Sequence, residues 1–367
     1  VDFTAHLGWP LRFGTVILAL SASGCGFGDD TAGNPAARPP AGGAASVLYV
    51  TNRERLGEGA HLNFGGERGS VRYGSCTVQF EPIPLLNDLS RHLPFFVPSE
   101  THDVRPTELT TDGFWQALDT RLDSVPDRKV VLFIHGYSFG FEKGCRRTAS
   151  LQRSLGSGRV VVLFSWPSDA QHTEYTADYT DMDWSVPQLA GLIAELARRF
   201  GRERLQIVGH SMGGRGLVEA IHWLQCQGAQ GVVGADQVVL LAPDMDAAIF
   251  PRYLPSLRPF ARRISLYVSE TDTPLKVARK FHGHPRLGEA GPHLHVPEGI
   301  DVIDVTQAGR YYITGHEYYH YHPRVGADLV RLLRDDATAA ERPGLHRRKG
   351  RRGSYWVLGP AGAASGG

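Results

Sequence analysis

Ser211 has the neighbours that could make a hydroxyl reactive. It lies in Gly209-His210-Ser211-Met212-Gly213, after the apolar segment 205–208 and before a run in which Leu217, Val218, Ile221 and Leu224 recur at helical spacing. That order is strand, tight turn, helix. Glycines flanking the serine allow strand and helix to approach closely, because neither brings a Cβ into the turn. With 43 Gly and 21 Ser in 367 residues, chance supplies about 0.3 matches to G-x-S-x-G in such a chain, so the motif counts only with its flanks. A serine hydroxyl is a weak nucleophile until an imidazole takes its proton, and the imidazole needs a carboxylate to fix its tautomer.

Candidates for both partners follow in the chain. Asp272 comes just after the apolar run 264–269, and His316 lies in a loop after 300–306. Serine, acid and histidine would then each stand beyond the C-terminal end of a strand. Asp244 and Asp246 follow 237–242 and are alternative acids, Asp244 the stronger; a turn or helix-cap aspartate is their plainer role. His320 and His322 compete with His316, but Gly315 suits an exposed loop while Pro323 opens the next helix. A rival chemistry is written over the same residues. His316-Glu317-Tyr318-Tyr319-His320 matches H-E-x-x-H, the zinc-peptidase pattern, which needs one stable helix presenting both histidines. Gly315, two internal tyrosines and Pro323 fit such a helix poorly. His282, His284, His293 and His295 lie among glycines and prolines without a cysteine or carboxylate pattern, and read as surface-loop histidines.

The elements that must position these residues alternate. Apolar strands are expected at 47–50, 70–80, 129–134, 160–165, 205–208, 237–242, 264–269 and 300–306, with helices at 112–122, 142–154, 186–200 and 324–334. Residues 81–105 read as an extended, proline-bearing connection, and 169–184, acidic and aromatic without periodicity, as a rim, lid or solvated loop. Alternation over this length implies an α/β chain: one domain with a mostly parallel, doubly wound sheet flanked by helices.

Composition bounds the rest. A net charge of +1 argues against bulk attraction to nucleic acid, and 42% hydrophobic content allows a large core. Cys76, Cys145 and Cys226 are too few and scattered for a disulfide scaffold, and no pairing follows from their spacing. The N-terminal segment 1–25 holds a short apolar run ending in Ala22-Ser23-Gly24-Cys25, which resembles a bacterial lipobox with Cys25 as the acylated residue. Residues 26–45 are a Gly/Ala/Pro-rich tether, 46–340 the folded domain, and 341–367 a basic, Gly-rich tail expected in solvent. An exported, lipid-anchored cell-envelope protein, periplasmic or on the outer surface, is the expectation, touching membrane through Cys25, with ordinary secretion as the alternative.

Taken together, TNRER (51–55), FIHGY (133–137), FSWPSDA (164–170), GHSMGGRGL (209–217), LAPDMDAAIF (241–250), YVSETDTPL (267–275), FHGHPRLG (281–288) and GHEYYHYHPRV (315–325) resemble the bacterial α/β-hydrolases of unknown function. The resemblance implies the α/β-hydrolase fold, with Ser211 as nucleophile, Asp272 as acid and His316 as base. It also implies an oxyanion hole made from the backbone N–H groups of Tyr137 and Met212. The expected activity is hydrolysis of a small-molecule or lipid carboxylic ester through an acyl-enzyme, with no cofactor. The alternatives are a non-catalytic envelope lipoprotein on the same fold, or a zinc peptidase using His316, Glu317 and His320.

Overall fold

The computed structural model describes residues 42–83, 100–171, 173–228, 234–309 and 312–360. Cys25 and the tether up to residue 41 lie outside the described residues, as do 361–367. Among the described residues, eleven strands form one sheet in the order β10-β11-β9-β8-β7-β6-β4-β5-β1-β2-β3. Its centre consists of β4 (Val130–Ile134), β5 (Val160–Ser165), β6 (Leu205–His210), β7 (Ala235–Leu241), β8 (Ala261–Val268) and β9 (Asp301–Asp304), all parallel. β1 (Gly43–Leu56) runs parallel to β5 and antiparallel to β2 (Asn63–Pro82), which pairs antiparallel with β3 (Glu100–Leu109).

The central strands are apolar runs because helices cover both faces. In β4, Val130, Leu132 and Ile134 pack into one core, while Val131 and Phe133 pack into the other. The helices are α1 (Thr111–Asp123), α2 (Phe141–Leu155), α3 (Tyr175–Phe200), α4 (Met212–Cys226), α5 (Leu254–Phe260), α6 (Thr273–His282), α7 (Tyr318–Tyr321) and α8 (Pro323–Arg334). Parallel strands put their C-terminal ends along one edge, where the loops after β4, β6, β7, β8 and β9 converge.

Three expectations are corrected. Much of the stretch 169–184 is helix, since α3 begins at Tyr175. Its inward positions are Asp178, Met182, Ser185 and Leu189; polar residues at two of these hid the period. Residues 100–105 belong to β3 rather than to a connection. The basic tail is a hairpin: β10 (Leu345–Gly350) and β11 (Gly353–Leu358) extend the sheet, β11 lying parallel to β9. Leu345, Val357 and Leu358 are buried, and buried Arg342 bonds Asp328 and the Tyr267 hydroxyl, each at 2.7 Å. Arg347, Arg348, Lys349, Arg351 and Arg352 are exposed, so the composition reported the hairpin's wet surface and not its anchoring residues.

Candidate active site

The turn between β6 and α4 holds Ser211 at φ +55°, ψ −123°, a conformation in which a non-glycine residue is strained by about 1–3 kcal/mol. Its backbone is locked on both sides. Ser211 N donates to Leu241 O at 2.9 Å, and Ser211 O accepts from Gly214 N at 2.9 Å and Asp244 N at 3.1 Å. The flanking glycines are required by contact: a Cβ on Gly209 would stand 2.7 Å from Gly214 Cα, and one on Gly213 would stand 2.2 Å from His135 O. Met212 opens α4, where first-turn N–H groups have no intrahelical acceptor and the helix dipole is positive.

Asp272 caps α6. One carboxylate oxygen accepts Leu275 N at 3.0 Å; the other lies 2.7 Å from His316 Nδ1. The loop carrying His316 is tied to the same cap, with Thr273 N donating to Thr314 O at 3.0 Å. Gly315, at φ +65°, passes so close that a Cβ would stand 2.7 Å from Thr271 O. Burial alone would depress the His316 imidazole, but the Asp272 carboxylate and its hydrogen bond outweigh that and raise it above its ordinary value. Asp272 is fully buried, and burial pushes its carboxyl up against the opposing pull of His316 and Leu275 N–H. The His316 ring packs on that of His210, centroids 4.7 Å apart, and His210 immediately precedes Ser211. Among the described residues no hydrogen bond joins Ser211 Oγ to His316; such bonds commonly close only around substrate.

The loop after β4 lies against the serine. A Cβ on Gly136 would stand 2.7 Å from His210 Nδ1 and 2.9 Å from Ser211 Cβ, so only glycine fits, and Tyr137 follows it. The loop is pinned on both sides of Tyr137. Trp166 Nε1 donates to His135 O at 2.8 Å, Ser138 N to Asp178 Oδ2 at 3.2 Å and Phe139 N to Ser168 Oγ at 3.1 Å. Beneath it Arg53, wholly buried, donates to Phe139 O (2.6 Å), Ser165 Oγ (2.8 Å), Gly65 O (2.8 Å) and Ser168 O (2.9 Å), and lies 3.3 Å from His135 Nε2. Burial lowers this guanidinium to about 9. His135 Nε2 also lies 3.3 Å from Ser165 Oγ, a second serine–histidine contact, but that ring is buried beside Arg53, and burial and this cation hold it neutral. Sequence reasoning assigned Arg53 and Asp178 no part here. Both sit among other polar and charged residues, Arg53 in TNRER and Asp178 in an acidic, aromatic stretch, so the sequence did not set them apart as buried.

The competing residues differ in what they touch. Asp244 is spent on Arg286 Nε (2.6 Å) and the Tyr175 hydroxyl (2.6 Å), so it props the wall beside Ser211 instead of meeting His316. Asp246 accepts Ala248 N. The H-E-x-x-H residues do not form a metal site: His316 precedes α7 and turns to Asp272, while Glu317 is held by Arg147 (2.6 Å) and Lys143 (3.0 Å). Burial would raise the Glu317 carboxyl, but those two cations hold it far below the usual carboxylate range. His322 lies 2.8 Å from Ala308 O, and His282 Nε2 lies 2.9 Å from the Tyr175 hydroxyl. Asp169, Asp178 and Asp181 do converge, but Asp178 already accepts Ser138 N, Asp169 N and Ser168 Oγ, and Asp181 pairs with Arg68. Cys76, Cys145 and Cys226 are free thiols.

Comparison with known proteins bears on this arrangement. Residues 111–334 match the family described as "Alpha/beta hydrolase of unknown function (DUF900)". No curated protein matches the chain. Among solved structures it is similar to the Pyrobaculum calidifontis esterase, at 16% identity over 57% of this chain and 75% of that one, with a TM-score of 0.31. It is also similar to the RedJ thioesterase of the prodiginine biosynthetic pathway in Streptomyces coelicolor, at 11% identity over 59% of this chain and 92% of that one, with a TM-score of 0.32.

Proposed function

The chain belongs to the family of α/β hydrolases of unknown function, and from that premise we propose that it is a serine hydrolase cleaving a carboxylic ester through an acyl-enzyme. The observation that carries this reading is the 2.7 Å contact between His316 Nδ1 and buried Asp272, next to a serine held at φ +55°. With Nδ1–H directed at the carboxylate, Nε2 is the basic nitrogen of the ring. Ser211 Oγ attacks the carbonyl carbon as Nε2 takes its proton, and the carbonyl π pair moves onto oxygen. The backbone N–H groups of Tyr137 and Met212 receive that oxyanion. Collapse expels the alcohol, which leaves with the proton from Nε2, and an ester remains on Ser211. Water then attacks with His316 again as base, and release of the acid restores the serine. Arg53 and Asp178 keep the 135–139 loop in place without touching the reacting atoms.

The test is labelling of the full chain by a fluorophosphonate, beside Ser211→Ala and a chelator-treated sample. Labelling lost in Ser211→Ala and retained under chelation is expected. A folded wild type that does not label, or labelling abolished by the chelator, overturns the proposal. Attachment to a membrane through acylated Cys25 is a separate proposal, tested by mass spectrometry of the chain expressed with and without Cys25→Ser.

A further inference from the structure

The described residues include seven large hydrophobic side chains that remain substantially exposed, and the three most exposed are Ile313 (83%), Phe281 (63%) and Val277 (61%). Scattered exposed apolar residues are ordinary; a set of them bordering one site is a binding feature. All three belong to the two segments that carry Asp272 and His316. Val277 and Phe281 are one turn apart on α6, the helix capped by Asp272. Ile313 precedes Thr314, whose carbonyl accepts Thr273 N at the start of that helix, and His316 follows two residues later.

Aromatic contacts run from Phe281 to the loop after β4 that lies against the serine. The Phe281 ring lies 5.6 Å from that of Tyr175, and Tyr175 lies 5.2 Å from that of Tyr137, the residue after Gly136. The Tyr175 hydroxyl is fixed at 2.6 Å on Asp244, whose own N–H donates to Ser211 O. Tyr175 is therefore a braced wall, with its polar end turned to Asp244 and its ring packed between those of Tyr137 and Phe281. Burying these side chains against an apolar ligand would remove hydrocarbon from water on both partners.

Resting on the serine-hydrolase reading, we infer that the preferred substrates are esters of extended hydrocarbon acyl chains. The acyl group runs from Ser211 past Tyr137 and Tyr175 onto Phe281, Val277 and Ile313. Each methylene that reaches the wall raises kcat/KM by up to about fourfold, until the chain outruns it.

The experiment is the kcat/KM profile of the full chain on monomeric p-nitrophenyl esters from two to ten acyl carbons. Wild type is compared with Phe281→Ser, Val277→Ser and Ile313→Ser, alongside fluorophosphonate labelling of each. The expected result is a wild-type profile rising with length, and a Phe281→Ser variant reduced about tenfold or more on the ten-carbon ester yet within about twofold on acetate. Because these side chains project into solvent, the variants retain the fold. A flat wild-type profile with labelling intact, or variants reduced equally at every length, overturns the acyl-chain inference and leaves the hydrolase reading standing. Absence of both labelling and hydrolysis overturns the two together.

Discussion

Replacing Asp272 by asparagine separates the roles of its two oxygens. One accepts Leu275 N at 3.0 Å as the cap of α6, and the other lies 2.7 Å from His316 Nδ1. An amide has one acceptor and one donor end. The cap bond claims the oxygen, so the NH2 group must face His316. Nδ1 is then forced to accept, the ring proton moves to Nε2, and the nitrogen that should take the serine proton already carries one. The fold survives, because asparagine is as good a cap as aspartate, while Asp272→Ala loses the cap at about 1 kcal/mol. The expected loss in kcat is on the order of 10⁴-fold, the size associated with a wrong tautomer in a serine triad. The melting temperature should stay within about 3 °C of wild type. The assay is the second-order rate of fluorophosphonate labelling with calorimetry on the same samples. Activity within about tenfold of wild type would refute the reasoning. Asp244→Ala is the control: Arg286 and Asp244 are an almost wholly buried pair at 2.6 Å, so this change should cost about 3–5 kcal/mol of stability.

Three further outcomes follow from the same geometry. Because His316 must be neutral to act and its pKa is raised, activity should climb with pH through a value above the ordinary histidine range. Its contribution to stability runs the other way, present in full below the unfolded value and lost as pH rises through the folded one; rate and melting profiles between about pH 6 and 9 check both signs. Gly136→Ala places a methyl 2.9 Å from Ser211 Cβ and should cost about 100-fold or more in kcat/KM by displacing the serine; an active variant with unchanged melting would refute that contact. Arg53→Lys keeps a charge but loses the fork that reaches Phe139 O, Ser165 Oγ and Gly65 O together, so kcat should fall about tenfold or more while KM changes little, as steady-state kinetics would show.

The central sheet was legible because its strands are uninterrupted apolar runs: Val130–Ile134 and Val160–Ser165 lie within a residue of their expected positions. The serine turn was legible because its glycines answer to backbone collisions that leave few other residues possible. Which of Asp272 and Asp244 meets His316 was less legible, since both follow strands, and Asp244 is taken up by a cation 42 residues away in sequence, Arg286. Polar residues that face inward were the consistent blind spot. Asp178 interrupts the apolar stripe of α3 in order to hold Ser138 N and Asp169 N, and a hydrophobic period does not register a residue buried for its hydrogen bonds. The same holds for the terminal hairpin, whose buried Leu345, Val357 and Leu358 were outnumbered by arginines on its solvent side.

The guanidinium of Arg53 has a consequence for where the working unit of this protein begins. The family match starts at residue 111, downstream of β1, yet the loop beside Ser211 is fastened at Phe139 O, and the loop after β5 at Ser168 O, by a side chain arriving from that first strand. The span of the family match and the boundary of mechanical integrity therefore do not coincide. A fragment cut to the family match would retain Ser211, Asp272 and His316 but leave the keystone of the 135–139 arch behind.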